Sequence, residues 1–249
     1  MAHAGAFSQL HTAPTMVSHA PTRLSPSLLQ GDDGPIMRIA FLGDSLTEGW
    51  PGAAYFPLLV KRVPQHDLSN RGRAGDTVAD LLARIRHEGM EPVDLAFIWV
   101  GANDAVIGAW DTSTEGGWSW PERLARLRGD YEGLLEWTAA RAARMVIVRP
   151  VILEAEGSLW EARAAEIGGA LDELAAARSA CRAVDLRPAF AAAARAGAGP
   201  FTIDGVHFTD AGATVVAEAF AGSIAEIETE VEEAGPPAAA GPPDQEVSS

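Results

Sequence analysis

Cysteine and basic side chains are scarce in this chain of 249 residues. It contains one cysteine, Cys181, so an intramolecular disulfide is impossible and a cysteine-based zinc site is not expected. Acidic residues outnumber basic ones by 34 to 19, which gives a formal charge of −15, and no lysine or arginine follows Arg195. A nucleic acid or an anionic membrane is therefore not an expected partner.

Long apolar runs are also missing. No stretch of about 18 apolar residues occurs, which argues against membrane insertion. The N-terminus lacks the basic and apolar regions of a secretory signal peptide. These features predict a soluble, cytoplasmic protein, and they leave its oligomeric state open.

The two ends differ in composition from the middle of the chain. Residues 1–34 are rich in Ala, Ser, Thr, Pro and His without apolar periodicity, which predicts a disordered N-terminal extension. Residues 231–249 are acidic and rich in Pro and Ala, which predicts a flexible tail. We expect one folded domain over residues 35–230.

Short apolar runs alternate with longer helical patterns across that domain. The runs lie at 36–42, 67–70, 95–100, 145–148 and 183–186. Turn residues bound them, and the intervening segments have apolar residues three and four apart. This alternation predicts an α/β fold, a three-layer α/β/α sandwich with a parallel sheet. In such sheets, ligands bind beyond the carboxyl ends of the strands.

The first such loop has the sequence "GDSLTEG" and contains Ser45. Glu48 follows three residues later, the S-x-x-E spacing of a helix capping box. The same spacing at Ser119 and Ser158 predicts helix caps. Ser45 also lacks the G-x-S-x-G elbow, which argues against the α/β-hydrolase fold. At this point Ser45 is either a cap or a nucleophile.

A nucleophilic serine needs a general base, and the chain has six histidines. Three lie in the expected disordered extension, and two are predicted to be surface residues: His3, His11 and His19, then His66 and His87. The remaining candidate is His207, in "TIDGVHFTDAG".

Two aspartates lie three residues from His207, on opposite sides. Asp204 precedes it in a glycine-containing loop, where a carboxylate can orient the imidazole and support its protonated form. Asp210 follows it, next to Thr209, where capping of the last helix explains it better. The alternative for Asp204 and His207 is an ordinary loop without a catalytic role.

Two further loops carry hydrogen-bond donors. Asn103, in "WVGANDAV", has an amide that can donate to a developing oxyanion. Gly75, in "NRGRAGDTVADLL", precedes a helix and can point its N–H into the same cleft. Taken singly, such residues are more typical of turns and caps.

Together, four segments resemble the motif blocks of the SGNH hydrolase superfamily, also called the GDSL family: "GDSLTEG", "AGDT", "GAND" and "DGVH". The resemblance implies a five-stranded parallel sheet of flavodoxin-like order. It implies a triad of Ser45, His207 and Asp204. It also implies an oxyanion hole formed by Ser45, Gly75 and Asn103, and no metal or other cofactor. Asp44 is expected to have a structural hydrogen-bonding role.

The expected activity is that of a serine esterase. Its substrate would be a small-molecule acyl ester of small to medium size, carbohydrate acyl esters included, cleaved through an acyl-enzyme intermediate. The alternatives are a lysophospholipase or lipase, an acyl-thioesterase, and a non-catalytic binding module.

The substrate contacts are predicted from loops near the motif blocks. After Asn103 comes a glycine-rich stretch with Trp110, Trp118 and Trp120, which can cover the cleft and stack on an acyl chain or a sugar ring. The alternative is that these indoles pack the loop onto the domain. Further candidates near the site are two acidic and two basic residues: Glu154, Glu156, Arg71 and Arg73.

Overall fold

The computed structural model describes residues 22–24, 36–110, 117–153 and 157–234, and for 22–24, 110 and 234 it describes the backbone alone. The strands in these ranges are β1 Thr22–Leu24, β2 Arg38–Gly43, β3 Asp67–Gly72, β4 Val93–Trp99, β5 Ala142–Val148 and β6 Cys181–Val184. They form one sheet in the order β1-β3-β2-β4-β5-β6.

Strands β2 to β6 run parallel, and β1 pairs antiparallel with β3 at the edge. The five parallel strands have the flavodoxin-like order, in which the chain first moves to one side of the first strand and then to the other. The predicted fold is therefore confirmed, with bounds that differ by a few residues from the apolar runs.

Helices connect the strands on both faces of the sheet. Their bounds are α1 Ser45–Glu48, α2 Phe56–Arg62, α3 Val78–Glu88, α4 Ala102–Trp110, α5 Trp120–Ala139, α6 Leu159–Ala176, α7 Arg187–Arg195 and α8 Asp210–Ala234. Ser119 and Ser158 cap α5 and α6, as their spacing predicts. No helix in the described ranges is both long and apolar enough to cross a membrane.

Each face of the sheet has its own hydrophobic core. Successive side chains of β2 point to opposite faces, so Phe41 and Leu42 belong to different cores. Phe41 stacks on Phe97 of β4 with ring centroids 4.8 Å apart, and Phe220 of α8 lies 5.0 Å from Phe97. Burial on both faces explains why these strands are almost continuously apolar.

The strand β1 lies within residues 1–34, for which the sequence predicts disorder. Its backbone pairs with Leu68, Ser69 and Asn70 of β3. Residues 1–21 and 25–35 lie outside the described residues, as do residues 235–249 of the expected tail. Disorder in those parts stays a prediction, and β1 is a sheet strand that the composition did not indicate.

His66 differs from its predicted place on the surface, because its side chain is buried. Its Nδ1 accepts a hydrogen bond from the Met37 backbone N–H at 3.2 Å, and its Nε2 lies 3.0 Å from the Glu228 carboxylate of α8. Burial lowers the pKa of His66, although Glu228 opposes this effect. A neutral imidazole with its hydrogen on Nε2 satisfies both partners. His66 therefore joins the start of β2 to α8.

The carboxyl ends of β2, β3 and β4 are adjacent. The chain leaves them towards Ser45, Gly75 and Asn103 respectively. Three of the residues singled out from the sequence are thus carried by neighbouring loops at one edge of the sheet.

Candidate active site

Ser45 is the first residue of α1, and Asp44 is its N-cap. The Asp44 carboxylate accepts a hydrogen bond from the Leu46 N–H at 3.0 Å. Glu48 accepts instead from the Ala74 N–H, at 2.6 Å. Of the two alternatives for Ser45, the structure does not support the capping box with Glu48: the capping function belongs to Asp44, which leaves the Ser45 hydroxyl available for other contacts.

Ser45, His207 and Asp204 form a continuous chain of contacts. The Ser45 Oγ lies 3.1 Å from the His207 Nε2, and the His207 Nδ1 lies 2.7 Å from the Asp204 Oδ2. With the Nδ1 hydrogen donated to Asp204, the Nε2 lone pair faces the serine hydroxyl. This is the arrangement that a general base needs in order to accept the hydroxyl proton.

The loop around His207 also fixes the carboxylate. The other oxygen of Asp204 accepts hydrogen bonds from the His207 N–H at 2.7 Å and the Val206 N–H at 3.0 Å. Burial by itself would raise the pKa of Asp204, but these hydrogen bonds and the one from the imidazole outweigh it and lower that pKa. Asp204 is therefore ionised in the neutral pH range.

Asp210, the rival aspartate, begins α8. The hydroxyl of Thr209 beside it accepts a hydrogen bond from the Gly212 N–H at 3.2 Å, which is a capping contact. Of the two aspartates equally spaced from His207, the one that contacts its ring is Asp204.

The two loops with predicted oxyanion donors contact each other. The Asn103 side-chain amide donates to the Asp76 carbonyl at 2.9 Å, and Asp76 follows Gly75 directly. Gly75 has a φ of 85°, in the left-handed region that favours glycine, and open space where a Cβ would lie. Its backbone is therefore accessible to a ligand.

Three acidic side chains lie shortly after the carboxyl ends of β2, β3 and β4: Asp44, Asp76 and Asp104. Burial raises the pKa of Asp44 to about 7 and that of Asp104 to about 6. Burial also raises the pKa of Asp76, against the opposing effect of Arg84. Each carboxylate has a structural partner, and the Asp104 carboxylate accepts from the Val78 N–H at 3.1 Å.

The predicted tryptophan contacts divide into three cases. The Trp110 side chain lies outside the described residues, as do Glu154 and Glu156. Trp118 is 52% exposed and lines a cavity of about 240 Å³. Trp120 lines the same cavity, but its ring packs closely on Gly108 and its N–H donates to Glu166 at 2.7 Å. Contact of these indoles with a substrate stays a prediction.

The two arginines near the Gly75 loop make contacts within the protein. Arg71 donates to the Gly89 carbonyl at 2.6 Å, at the far end of α3. The Arg73 guanidinium lies 3.0 Å from Asp76 and is half exposed. An anionic substrate is therefore not needed to explain either side chain.

Sequence reasoning missed two residues near the site. Trp50 is 67% exposed and lies just after α1, where the backbone N–H of Trp50 donates to the Ser45 carbonyl at 3.3 Å. Arg84 of α3 is buried beneath the loop that carries Gly75. The sequence gives no signal for either residue. A tryptophan after a glycine does not indicate a site, and an arginine in a helix is usually expected to be exposed.

No metal centre is visible among the residues that the structure describes, since no three His, Cys, Asp or Glu side chains are grouped to hold an ion.

One family profile matches most of the chain. The profile of the GDSL-like Lipase/Acylhydrolase family matches residues 41–215, which include Ser45, Gly75, Asn103, Asp204 and His207. No curated protein matches the chain.

Several solved structures share the fold. LAE5, an alpha/beta hydrolase enzyme from the metagenome of Lake Arreo in Spain, is 25% identical over 76% of this chain and 95% of its own, with a TM-score of 0.63. Axe2, an acetylxylan esterase from Geobacillus stearothermophilus, is 22% identical over 77% and 95%, with a TM-score of 0.62. A member of the lipolytic protein G-D-S-L family from Veillonella parvula DSM 2008 is 16% identical over 78% and 99%, with a TM-score of 0.61. The chain thus belongs to the GDSL-like lipase/acylhydrolase family and is a serine hydrolase that acts on ester bonds.

Proposed function

We propose that the protein hydrolyses small to medium acyl esters, carbohydrate acyl esters included, with Ser45, His207 and Asp204 as its catalytic triad. The observation that carries this proposal is the pair of contacts made by the His207 ring, 3.1 Å to the Ser45 hydroxyl and 2.7 Å to the Asp204 carboxylate. These contacts give the three side chains the roles of nucleophile, base and orienting group.

The reaction proceeds in two halves. His207 Nε2 takes the hydroxyl proton of Ser45 as the serine oxygen attacks the ester carbonyl carbon, and the imidazolium then gives this proton to the departing alcohol. In the second half, His207 takes a proton from water as the water oxygen attacks the acyl-enzyme. The protonated imidazole returns the proton to Ser45, and the carboxylic acid leaves.

Both tetrahedral intermediates carry a negative oxygen that must be stabilised. In the proposed mechanism, three groups donate hydrogen bonds to this oxygen: the backbone N–H groups of Ser45 and Gly75 and the side-chain amide of Asn103. The open backbone at Gly75 and the contact between Asn103 and the Asp76 carbonyl support this assignment. Such donors act strongly because they are already oriented before the charge develops.

The dimensions near the site favour small substrates. Ser45 is 6% exposed, so most of its surface is covered by other parts of the protein. The cavity of about 240 Å³ lies beside the proposed site: the described residues that line it include Thr77 and Asp104, which directly follow Asp76 and Asn103 in the chain, but no member of the proposed triad. This volume lies below the usual range of roughly 300–1,000 Å³ for ligand pockets. A substrate group that entered this cavity would be a single ring or a short chain and not a long acyl chain.

The structural relatives also support an acyl ester substrate. Axe2 is described as an acetyl-xylooligosaccharide esterase, and its variants at a serine, an aspartate and a histidine are described as catalytic mutants. The aspartate lies three residues before the histidine in Axe2, the spacing of Asp204 and His207. At 22% identity the likeness by itself extends to the fold alone, so the substrate remains our proposal.

The deciding experiment compares wild type with Ser45→Ala on p-nitrophenyl esters from acetate to long acyl chains, and on acetylated xylo-oligosaccharides with release of acetate as the readout. We expect Ser45-dependent turnover that is highest for short chains. Preference for long chains would favour the lipase alternative. A folded wild type without Ser45-dependent turnover on any ester would contradict the proposal. The cytoplasmic location stays a separate prediction, to be checked by fractionation of the native host.

A further inference from the structure

Arg84 is a buried cation in the second turn of α3, with a side chain that is 7% exposed. A charge that is removed from water in this way destabilises the fold unless several partners compensate it. The triad does not include Arg84, so its burial needs another explanation.

The Arg84 guanidinium connects three parts of the chain. Its Nε donates to the Asp76 carboxylate at 2.7 Å. One terminal nitrogen donates to the carbonyls of Arg71 at 3.0 Å and Gly43 at 3.3 Å, at the carboxyl ends of β3 and β2. The other lies 3.5 Å from Glu88, a longer and more exposed contact. The planar fork of an arginine suits such a set of partners, whereas a lysine ammonium cannot reach them all.

Asp76, in turn, makes several of the contacts that hold the loop after β3. Its N–H donates to the Arg73 carbonyl at 3.2 Å, and its carbonyl accepts from the Asn103 amide at 2.9 Å. Its second carboxylate oxygen lies 3.0 Å from the Arg73 guanidinium. A shift of Asp76 moves its own carbonyl, which is the hydrogen-bond partner of Asn103. Because Gly75 immediately precedes Asp76, the same shift also moves the Gly75 N–H.

We propose that Arg84 is a positioning residue of the oxyanion hole. Through Asp76 it holds the Gly75 N–H and the Asn103 amide at fixed distances from Ser45. Arg84 is itself anchored to Gly43, two residues before Ser45. This inference rests on the proposed function, because it assumes that Gly75 and Asn103 stabilise the oxyanion. A second anchor of the same loop is the bond from the Ala74 N–H to Glu48, so loss of Arg84 loosens the loop without releasing it.

The test compares Arg84→Gln and Arg84→Lys with wild type, and uses Arg182→Gln as the control. Arg182 of β6 likewise binds a backbone carbonyl, that of Ser223 at 2.8 Å, and the carboxylate of Glu230 at 3.3 Å, but it lies on the edge strand opposite β1. Loss of either arginine is expected to lower the unfolding temperature, so that stability alone cannot separate them.

Three measurements separate them. Hydrogen exchange of a peptide spanning residues 73–77 should become faster in Arg84→Gln and stay at the wild-type rate in Arg182→Gln. Well below the unfolding temperatures, Arg84→Gln should lower kcat by about 10- to 100-fold with KM changed less than about threefold, because the donors act on the transition state. The affinity for a trifluoromethyl ketone, whose adduct with serine carries an oxyanion, should fall in parallel, and Arg84→Lys should restore part of each loss.

The outcomes are distinct. Unchanged exchange at residues 73–77 overturns the proposal whatever the activity, and Arg84→Lys provides this readout should the glutamine variant not fold. Faster exchange with wild-type kcat and ketone affinity also overturns it, since the loop would then move without effect on the oxyanion. A wild type without Ser45-dependent turnover refutes the proposed function and with it the catalytic role of Arg84, while the exchange measurement still shows whether Arg84 fixes the loop.

Discussion

The side-chain amide of Asn103 donates a hydrogen bond to the backbone carbonyl of Asp76, 2.9 Å away. An amide nitrogen carries two hydrogens, so this bond orients the group and leaves the second hydrogen for an oxyanion. Since Gly75 precedes Asp76, the same bond joins the two loops that supply the proposed donors. The proposed oxyanion hole is therefore a connected unit.

Replacing Asn103 tests that unit directly. Asn103→Ala is expected to lower kcat by about 100-fold or more, because an oriented donor is lost where charge develops. Asn103→Asp, which keeps the shape but not the donor, should be at least as slow. Steady-state kinetics on a short-chain p-nitrophenyl ester measures both, with circular dichroism to show that the fold is intact. Turnover equal to wild type in folded Asn103→Ala would remove Asn103 from the oxyanion hole.

The two aspartates spaced equally from His207 provide a matched pair of variants. Asp204→Asn should lower kcat by roughly 10²–10⁴-fold, because an amide no longer supports the imidazolium and can hold the wrong tautomer. Asp210→Asn should leave kcat near wild type, because Asp210 begins α8 and is not the ring partner of His207. Equal losses in the two variants would contradict the assignment of Asp204.

The sequence predicts most of the fold and the side chains that meet at the candidate site, because both leave periodic or spaced signals. Strands buried on two faces read as apolar runs, and the chain order of the parallel strands places the loops of Ser45, Gly75 and Asn103 at one edge. The spacing alone could not decide whether Ser45 caps the helix, because two residues compete for this role: Asp44 stands one position earlier and its carboxylate reaches the Leu46 N–H.

Residues whose place depends on distant partners were not predictable. His66 is polar and lies in a short connection, which favours exposure, yet the buried face of α8 provides Glu228 as its partner. Arg84 has the helical spacing of a solvated side chain, but three strand and loop segments converge on it. Three residues that form β1 gain their order by pairing with the edge of β3, and no local pattern encodes that pairing.

Trp118 is predicted to act on substrate affinity. Trp118→Ala should raise KM several-fold for an acetylated xylo-oligosaccharide and change KM little for ethyl acetate, because an exposed indole beside the cavity can stack on a ring but not on a small acyl group. The matched control is Ile36→Ala, since Ile36 is 70% exposed and precedes the amino end of β2. Equal KM values for wild type and Trp118→Ala on the sugar ester would exclude this contact.

His66 is predicted to matter for stability and not for catalysis. His66→Ala leaves the Met37 N–H and the Glu228 carboxylate without their partner and opens a cavity. We expect the free energy of unfolding to fall by about 1–3 kcal/mol, with kcat unchanged below the unfolding transition. His87→Ala, at an exposed position near the end of α3, should have little effect on stability. Denaturant titrations of the two variants make this comparison, and equal stabilities would show that the buried contacts of His66 contribute nothing.

Because of Asp44, we expect the stability of the fold to decrease as pH rises towards neutrality. Burial raises its pKa from 3.8 to about 7 in the folded protein, so between these values the folded state binds a proton that the unfolded state has lost. The free energy of unfolding therefore falls as pH rises from about 4 through about 7, and the stability given by the protonated carboxyl is lost above that range. Asp104, with a pKa of about 6, contributes a slope of the same sign.

The variant Asp44→Asn removes one of these two contributions and keeps a side chain that can cap α1. Its loss of stability between pH 5 and pH 8 should be smaller than that of wild type, with the remaining slope due in part to Asp104. Denaturant unfolding at the two pH values measures the difference, and Asp210→Asn, at the exposed start of α8, should keep the wild-type slope. If Asp44→Asn shows the full wild-type slope, the Asp44 carboxyl is already ionised at pH 5 and the buried site must stabilise its charge.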